Sequence, residues 1–264
     1  MHELNAKDFP ALTPLLDGLH AGTEIMGAVL SGHTRGRIFT PDPADLHSAF
    51  VYDNGFCVLA GARPEAQFAA ACLDWLRGPA HQDFFILYPG HAGWEPVLDQ
   101  RQAPAVQKLP RVAFSFDPSR FAVQRTEQPL PPDHRLVPLD AALLRHLADG
   151  GQYPFAAGMW ASDAQFERDG VGFCVLHERR VASLCYSVFV KGARHDVDIC
   201  TFDGYRRRGL ARAVATAFID ECLRRGLEPG WDCFRGNRAS YELAQALGFG
   251  PVHEFAVYAR GLDG

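Results

Sequence analysis

The chain has 264 residues, of which 47% are hydrophobic and 22% charged, and its formal net charge at pH 7 is −5. This is the composition of a soluble globular protein, long enough to form two modest hydrophobic cores. The negative net charge argues against a nucleic-acid partner, which favours a basic face, and no stretch approaches the roughly 18 consecutive apolar residues of a membrane helix.

The first half of the chain alternates predicted helices and strands. Hydrophobic periodicity predicts helical structure over residues 10–30, one or two strands within Ala49–Leu59, a helix over Pro64–Arg77, a strand over Asp83–Tyr88, a short helix near Trp94–Leu98 and a strand over Arg111–Phe116. The Pro-rich segment Glu127–His134 cannot continue a helix or a central strand. We therefore predict a domain over residues 1–128 and a second domain over residues 129–264.

The second half has a clearer pattern. It predicts a strand over His134–Leu139, helices over Asp140–Ala148 and Ser162–Glu167, a hairpin of Val171–Leu176 with Val181–Val190, a strand ending at Thr201, a helix from Leu210, a strand over Gly230–Phe234, a helix from Asn237 and a last strand. The order β, α, α, β, β, β, α, β, α, β predicts an α/β (α+β) fold with a mixed β-sheet flanked by helices.

The segment from Asp196 to Ala217 is the most informative part of the chain. An alternating strand leads through a turn and a basic cluster into an amphipathic helix, whose unsatisfied first-turn amides and dipole favour an anion. Gly209 allows a phosphate to approach the backbone and Ala211 keeps the next turn slim. The flanking residues supply positive charge or begin the apolar stripe: Arg206, Arg207, Arg208, Leu210 and Arg212. This layout predicts a pyrophosphate site.

Two motifs in this half carry a family resemblance. Arg206–Ala211 fits the loop R/Q-x-x-G-x-G/A, and Asn237–Phe249 is similar to N-x-x-A/S-x-x-L-Y-x-x-L-G-F at nearly every position. In this order, they resemble the GNAT superfamily of acetyl-CoA-dependent N-acetyltransferases. The resemblance implies a GNAT fold for the second half and acetyl-CoA as the cofactor. The first half can be a degenerate GNAT-like copy, since its turn Ala60–Pro64 lacks the loop pattern.

The resemblance also implies where acetyl-CoA lies. It would occupy a split between the strand that ends at Thr201 and the strand that begins near Gly230. Backbone groups of Ile199, Cys200 and Thr201 would hold the pantetheine and polarise the thioester carbonyl, as in an oxyanion hole. The loop Arg206–Arg212 would bind the pyrophosphate, and Asn237 and Ser240 complete the implied cofactor-binding set.

Transfer to an amine requires a base, because an amine nucleophile is protonated at neutral pH. His195, Asp196 and Asp198 are the candidates, since they precede the residues implied to contact the cofactor. Strand alternation places His195 on the face of Ile199 and Thr201 and the two aspartates on the other face, although a β-bulge would exchange the faces. We favour Asp198 or Asp196, against purely structural roles for both.

The usual general acid is missing from the second motif. GNAT proteins often carry a tyrosine where this chain has Ala244, and its hydroxyl can protonate the departing thiolate. Tyr241 lies close to one helical turn earlier and either substitutes for that tyrosine or packs its ring at the sheet edge.

The predicted function is transfer of an acetyl group from acetyl-CoA to a primary amine of a small molecule. Two alternatives remain open: an inactive acyl-CoA sensor, which would explain Ala244, and a protein or peptide N-acetyltransferase. The seven cysteines include no C-x-x-C pair and the eleven histidines no common metal-ligand spacing, so we predict buried thiols and no metal. Without a signal-peptide pattern the expected location is cytoplasmic, and a homodimer is left open.

Overall fold

The computed structural model describes residues 1–78, 84–101, 105–126, 129–156 and 158–262. The chain divides into two compact units: unit 1 is Met1–Arg111 with Glu254–Gly264, and unit 2 is Val112–His253. The boundaries of these units differ from the boundary predicted at the Pro-rich segment Glu127–His134. Glu127 and Gln128 of that segment lie outside the described residues. The assignment of separate domains to residues 1–128 and 129–264 stays a prediction.

Unit 1 contains a mixed sheet and its helices. Its elements are β1 (His2–Glu3), a 3₁₀ helix (Ala6–Gly18), α1 (Thr23–Leu30), β2 (Arg37–Thr40), β3 (Ala49–Asp53), β4 (Phe56–Ala60), α2 (Ala66–Leu76), β5 (Phe85–Pro89), α3 (Trp94–Asp99), the start of β6 (Gln107–Phe116) and the end of β12 (Phe249–Arg260). The strand order is β1-β2-β3-β4-β5-β12, with β4 and β5 parallel and the other pairs antiparallel.

The predicted strands and helices of unit 1 are largely confirmed, with one change of helix type. The region predicted as helical over residues 10–30 consists of the 3₁₀ helix and α1, and Pro10 and Pro14 lie inside the 3₁₀ helix. Proline has no N–H to donate, so this segment does not form a regular α-helix. Trp94 and Phe85 are buried in the core beneath α2, and Asp83 of the predicted strand lies outside the described residues.

Unit 2 has the predicted element order. It contains α4 (Pro118–Gln124), β7 (His134–Pro138), α5 (Ala141–Asp149), a 3₁₀ turn (Pro154–Ala156), α6 (Asp163–Asp169), β8 (Gly172–His177), β9 (Arg180–Lys191), β10 (Arg194–Thr201), α7 (Leu210–Arg224), β11 (Glu228–Phe234), α8 (Arg238–Ala246) and the first part of β12. Helix α4 was not predicted, although Asp117 caps its first turn by accepting hydrogen bonds from the backbone N–H groups of Ser119 and Arg120.

Helices cover both faces of the sheet of unit 2. Its strand order is β6-β11-β10-β9-β8-β7, in which β10 and β11 are parallel. The apolar stripe of α7 is fully buried against one face in a cluster with Cys185 and partly buried Val197 and Ile199. On the opposite face, the ring of Phe166 from α6 lies 6.4 Å from the ring of Tyr186. The alternation of β9 and β10 thus separates an apolar face under α7 from a more polar face near α6.

Candidate active site

The two parallel strands of unit 2 lose their pairing partway along. Strands β10 and β11 pair through Arg194 with Glu228, His195 with Pro229 and Asp196 with Gly230. Both strands continue beyond the last pair, and among the described residues no pairing joins Val197–Thr201 to Trp231–Phe234. We call these two unpaired stretches the strand split. It lies between the two strands named by the sequence prediction, and it leaves one backbone edge of β10 without a strand partner.

Strand β10 keeps the predicted alternation of side chains. Its antiparallel pairing with β9 contains a register shift between Asp196 and Val197, where the partner residue changes from Phe189 to Ser187. The extra residue, Val188, belongs to β9, so the alternation of β10 is not interrupted. His195 is buried with only 3% exposed, and Val197 and Ile199 pack against the cluster under α7. Asp198 consequently points to the opposite face.

Asp198 is held by neutral hydrogen-bond donors. The hydroxyl of Tyr153 donates to Asp198 Oδ2 at 2.5 Å. Tyr186, the partner of Asp198 in the β9–β10 register, is fully buried on the same face. Burial raises the pKa of Asp198, and the interactions with the Tyr153 hydroxyl, the Ile199 backbone N–H and the Tyr186 hydroxyl lower it in part. Within the described ranges, no ion pair involves this carboxylate.

The sequence analysis did not identify Tyr153. This residue lies in the segment between α5 and α6, 45 positions before Asp198, and belongs to no motif. Burial and the nearby charge of Asp198 raise the pKa of Tyr153, so its hydroxyl stays protonated at neutral pH. No local pattern connects the two residues, because they meet only when this segment packs over β10.

Asp196 has a different environment from Asp198. Its Oδ1 lies 3.4 Å from Nε of Arg194, and Nη1 of Arg194 contacts Oε1 of Glu228 at 2.8 Å. The same Oδ1 would lie 1.7 Å from a Cβ placed on Gly230, so the carboxylate fills the space above that glycine. Asp196 therefore helps to hold the last paired position before the strand split. A role as base stays a prediction for Asp196 and for His195.

Cys200 is a cysteine of β10, the strand that carries Asp198. It lies two residues after Asp198 on the same face of β10. Burial and the charge of Asp198 raise the pKa of the Cys200 thiol to about 11. Since the thiolate is the nucleophilic form, this thiol is poorly suited to form an acyl-enzyme at neutral pH. All seven cysteines are free, and all except Cys200 are buried.

The predicted pyrophosphate loop connects β10 to α7. Gly209 is the N-cap of α7 with φ 78°, and no side chain of the described residues caps the first turn. Arg207 also has a positive φ of 60°. The guanidinium of Arg208 lies 5.7 Å from the centre of the Tyr205 ring, and exposed Arg206 pairs with Asp203 at 3.1 Å. The helix therefore begins with unsatisfied amides beside three arginines, as an anion site requires.

Three other residues predicted to bind the cofactor already have partners within the chain. Nη2 of Arg212 donates to the carbonyl oxygen of Ala246 at 2.7 Å. Oδ1 of Asn237 accepts from the backbone N–H of Ser240 at 3.1 Å, so Asn237 is the N-cap of α8. Oγ of Ser240 lies 3.1 Å from the donor Nε1 of Trp231. These bonds join α8 to its neighbours, and contacts of these residues with coenzyme A stay predictions.

The region of the missing general acid is well packed. Ala244 is fully buried in the core under α7. The ring of Tyr241 packs edge-on against Phe114 at 5.2 Å, and the guanidinium of Arg235 lies 5.1 Å from the same ring. The structure thus shows the ring-packing role that was one of the two predictions for Tyr241. Its role as an acid stays a prediction.

The described ranges contain neither a membrane-spanning helix nor a cluster of metal ligands. No helix there is both long enough and apolar enough to cross a lipid bilayer. In the same ranges, no group of three or more His, Cys, Asp or Glu side chains is placed to hold a metal ion.

Comparison with known proteins identifies the family. A family model described as GNAT acetyltransferase matches residues 14–258. The chain is 30% identical over 267 residues to the uncharacterized N-acetyltransferase YdfB of Bacillus subtilis (strain 168), and the match covers 99% of each protein.

Solved structures agree with this match. A GCN5-related N-acetyltransferase-like protein from Streptococcus suis 89/1591 has 25% identity and a TM-score of 0.77, covering 97% of this chain and 99% of that chain. A tandem GNAT protein from the clavulanic acid biosynthesis pathway, at 13% identity, shares the fold with a TM-score of 0.62 and covers 98% and 97% of the two chains. Because the family match spans nearly the whole sequence, the chain belongs to the GNAT acetyltransferase family and is an acyltransferase.

Proposed function

We propose that this enzyme transfers an acetyl group from acetyl-CoA directly to a primary amine of a small molecule, in the cytoplasm. The observation that carries this proposal is the strand split of β10 and β11. It brings an unpaired backbone edge, the half-buried Asp198 and the strand leading to the uncapped start of α7 into one short segment of the chain.

The start of α7 fits the pyrophosphate of acetyl-CoA. Its first-turn amides carry the positive end of the helix dipole, and Gly209 presents no Cβ to an approaching phosphate. Arg206, Arg207 and Arg208 add positive charge, and exposure to solvent reduces their individual contributions. When bound, acetyl-CoA supplies an activated thioester. The backbone of Ile199–Thr201 is proposed to hold its pantetheine arm and polarise its carbonyl group.

Asp198 is the proposed base. An acceptor amine arrives as an ammonium ion, and a half-buried carboxylate that has neutral donors as partners both attracts that cation and accepts its proton. Its raised pKa brings the carboxyl group closer to neutral pH, which favours proton transfer. Asp196 is the weaker candidate because Arg194 already balances its charge.

Direct transfer is favoured over an acyl-enzyme. The Cys200 thiol, with its pKa raised to about 11, is mostly protonated at neutral pH. With Ala244 buried at the position of the usual acid, we propose that the departing thiolate is protonated by water.

The test of the cofactor site is the substitution Gly209→Asp, which adds bulk and a negative charge where the pyrophosphate would bind. We expect calorimetry to show acetyl-CoA affinity reduced by at least about tenfold, through like-charge repulsion and the blocked approach to the backbone. Gly226→Asp is a matched control because Gly226 follows the other end of α7, also has a positive φ, and has open space where a Cβ would lie.

The control variant should bind acetyl-CoA as the unmodified protein does. If Gly209→Asp keeps a native thermal transition and unchanged affinity, the cofactor binds elsewhere. Release of coenzyme A thiol from acetyl-CoA in the presence of spermidine, L-lysine or kanamycin then tests the class of acceptor.

A further inference from the structure

Two tyrosines face the Asp198 carboxylate from different elements. Tyr153 lies on the segment that follows α5, and its hydroxyl is 2.5 Å from Asp198 Oδ2. Tyr186 lies on β9 and is 0% exposed, whereas Tyr153 is only half-buried. Of the two phenols, only Tyr153 therefore belongs to a residue that solvent or a small ligand can reach.

The position of Tyr153 is fixed by its neighbours. Its backbone N–H donates to the carbonyl of Leu147 at 2.9 Å, which ties the residue to the end of α5. The side chain of the preceding Gln152 donates to the carbonyl of Val181 on β9 at 3.2 Å. The ring of Phe202, directly after β10, stands edge-on to the Tyr153 ring at 6.0 Å. Three elements thus hold the phenol over Asp198.

This arrangement restricts how Asp198 can act as a base. Oδ2 already accepts the Tyr153 hydrogen, and the Ile199 backbone N–H also interacts with the carboxylate. An ammonium ion that approaches from the Tyr153 side meets the phenol oxygen, which can accept a proton while it donates its own hydrogen to Asp198.

We propose that Tyr153 relays the proton from the acceptor amine to Asp198. This inference rests on the proposed function, in which Asp198 is the base. In the step, an N–H bond of the ammonium breaks and its proton bonds to Oη of Tyr153, while the original Oη–H bond breaks and that proton bonds to Oδ2 of Asp198. The amine becomes neutral and nucleophilic, Tyr153 remains neutral, and the carboxylate becomes a carboxylic acid that later returns its proton to water.

The groups that surround Asp198 determine the pH dependence of this relay. Its titratable neighbours are Tyr153, Tyr186 on β9, Cys200 on β10 and, from the other face of β9, Cys185. Burial raises the pKa of each of these groups, so all four stay protonated near neutral pH. Asp198 is then the group whose ionisation defines the acidic limb of the pH profile, and activity rises as that carboxyl group loses its proton.

The experiment compares Tyr153→Phe with Tyr186→Phe, since each change removes one hydroxyl facing the same carboxylate. Initial rates of thiol release are measured from pH 5 to 9 with acetyl-CoA and the amine among spermidine, L-lysine and kanamycin that gives saturable release. We expect Tyr153→Phe to lower the plateau of kcat by about 100-fold, as for loss of a positioned proton-transfer group. Tyr186→Phe should leave the plateau within about threefold, because the buried Tyr186 hydroxyl forms no hydrogen bond with the described residues.

Asp198→Asn and the Tyr153→Phe/Asp198→Asn double variant complete the design. In a relay the two residues act as a unit, so the double variant should be no slower than Asp198→Asn alone. A Tyr153→Phe plateau equal to that of the unmodified enzyme, with Asp198→Asn impaired, overturns the relay and leaves Asp198 as the base. An unimpaired Asp198→Asn variant, or no thiol release with any of the three amines, overturns the proposed function and the relay together.

Folding is checked by thermal unfolding of each variant. If Tyr153→Phe does not fold, 3-fluorotyrosine at position 153 keeps the ring and hydroxyl and makes the phenol more acidic. The relay then predicts a changed kcat plateau, and an unchanged plateau contradicts it.

Discussion

At the scale of single residues, two acidic side chains, one buried and one half-buried, differ from the others. Asp53 in unit 1 is 3% exposed and Asp198 in unit 2 lies under Tyr153, and among the described residues neither forms an ion pair. Burial raises the pKa of Asp53 to about 6, with only partial compensation by the Thr34 hydroxyl. A buried charge without a cation costs stability, so each of these carboxyl groups reduces the stability of the folded state once it ionises.

Asp53→Asn should therefore stabilise the protein above neutral pH. The pKa of Asp53 is about 6 in the folded state and near 3.8 when unfolded, so the folded state binds more protons between these values and stability falls as pH rises through that window. The two values correspond to at most about 3 kcal/mol, and we expect a gain of about 1 to 3 kcal/mol at pH 7.5.

Urea unfolding at pH 7.5 and at pH 4 measures this gain, which should disappear at the lower pH. Asp17→Asn, on an exposed residue, is the control and should change stability little at either pH. A gain of the same size at both pH values would contradict a cost that comes from ionisation.

At the scale of elements, the strand split depends on how β10 and β11 separate after their last pair. Gly230 is the β11 residue of that last pair, and the carboxylate of Asp196 occupies the space where its Cβ would lie. Arg194 holds the carboxylate there while it also contacts Glu228 on β11. The split therefore begins where the Asp196 carboxylate, paired with Arg194, occupies the space left by the absent side chain of Gly230.

Gly230→Ala should disturb this junction, because its Cβ would lie 1.7 Å from Oδ1 of Asp196. We expect a loss of about 1 to 3 kcal/mol in the free energy of unfolding, as for other overpacked sites. Adding Asp196→Ala removes the obstructing carboxylate, so the double variant should lose less stability than the sum of the two single changes. Additive losses, or a Gly230→Ala variant as stable as the unmodified protein, would contradict this view of the split.

At the scale of the whole molecule, the two units differ in what they offer an anion. In unit 1 the turn Ala60–Pro64 leads into α2, but its N-cap is Glu65, whose carboxylate lies 2.6 Å from Nε2 of His47. A Cβ on Gly61 would lie 2.2 Å from the His47 carbonyl oxygen, and the Gly61 carbonyl accepts a hydrogen bond from Nε1 of Trp94 at 2.9 Å. The turn is filled by the chain itself and carries a negative charge at its helix.

We therefore expect each chain to bind one acetyl-CoA. Calorimetric titration should give a stoichiometry near one. It should also give no measurable high-affinity site in Gly209→Asp, since the turn of unit 1 has one arginine, Arg63, against three in the loop before α7, and its helix begins at the acidic residue Glu65. Two equivalent sites per chain would show that unit 1 also binds the cofactor.

Much of the fold and of the geometry of the candidate site was predictable because the signals are local. The element order of unit 2, the N-cap role of Asn237 and the alternation of β10 follow from spacing and capping patterns within about a dozen residues. Helix α4 also has a local signal, Asp117 followed by Pro118, which the sequence analysis did not use. The 3₁₀ form of Ala6–Gly18 was indicated by its two internal prolines.

By itself, the sequence determined the mixed α/β fold, the resemblance to GNAT proteins and the position of the glycine- and arginine-containing loop before α7, since each depends on residues close together along the chain. Only the tertiary structure separated the roles of the two aspartates, which are equivalent in sequence alternation. Packing gave Asp196 a guanidinium and gave Asp198 two phenols, one of them from a segment 45 residues away. The strength of a base depends on burial and on such distant partners, so its chemistry is decided only when the chain is folded.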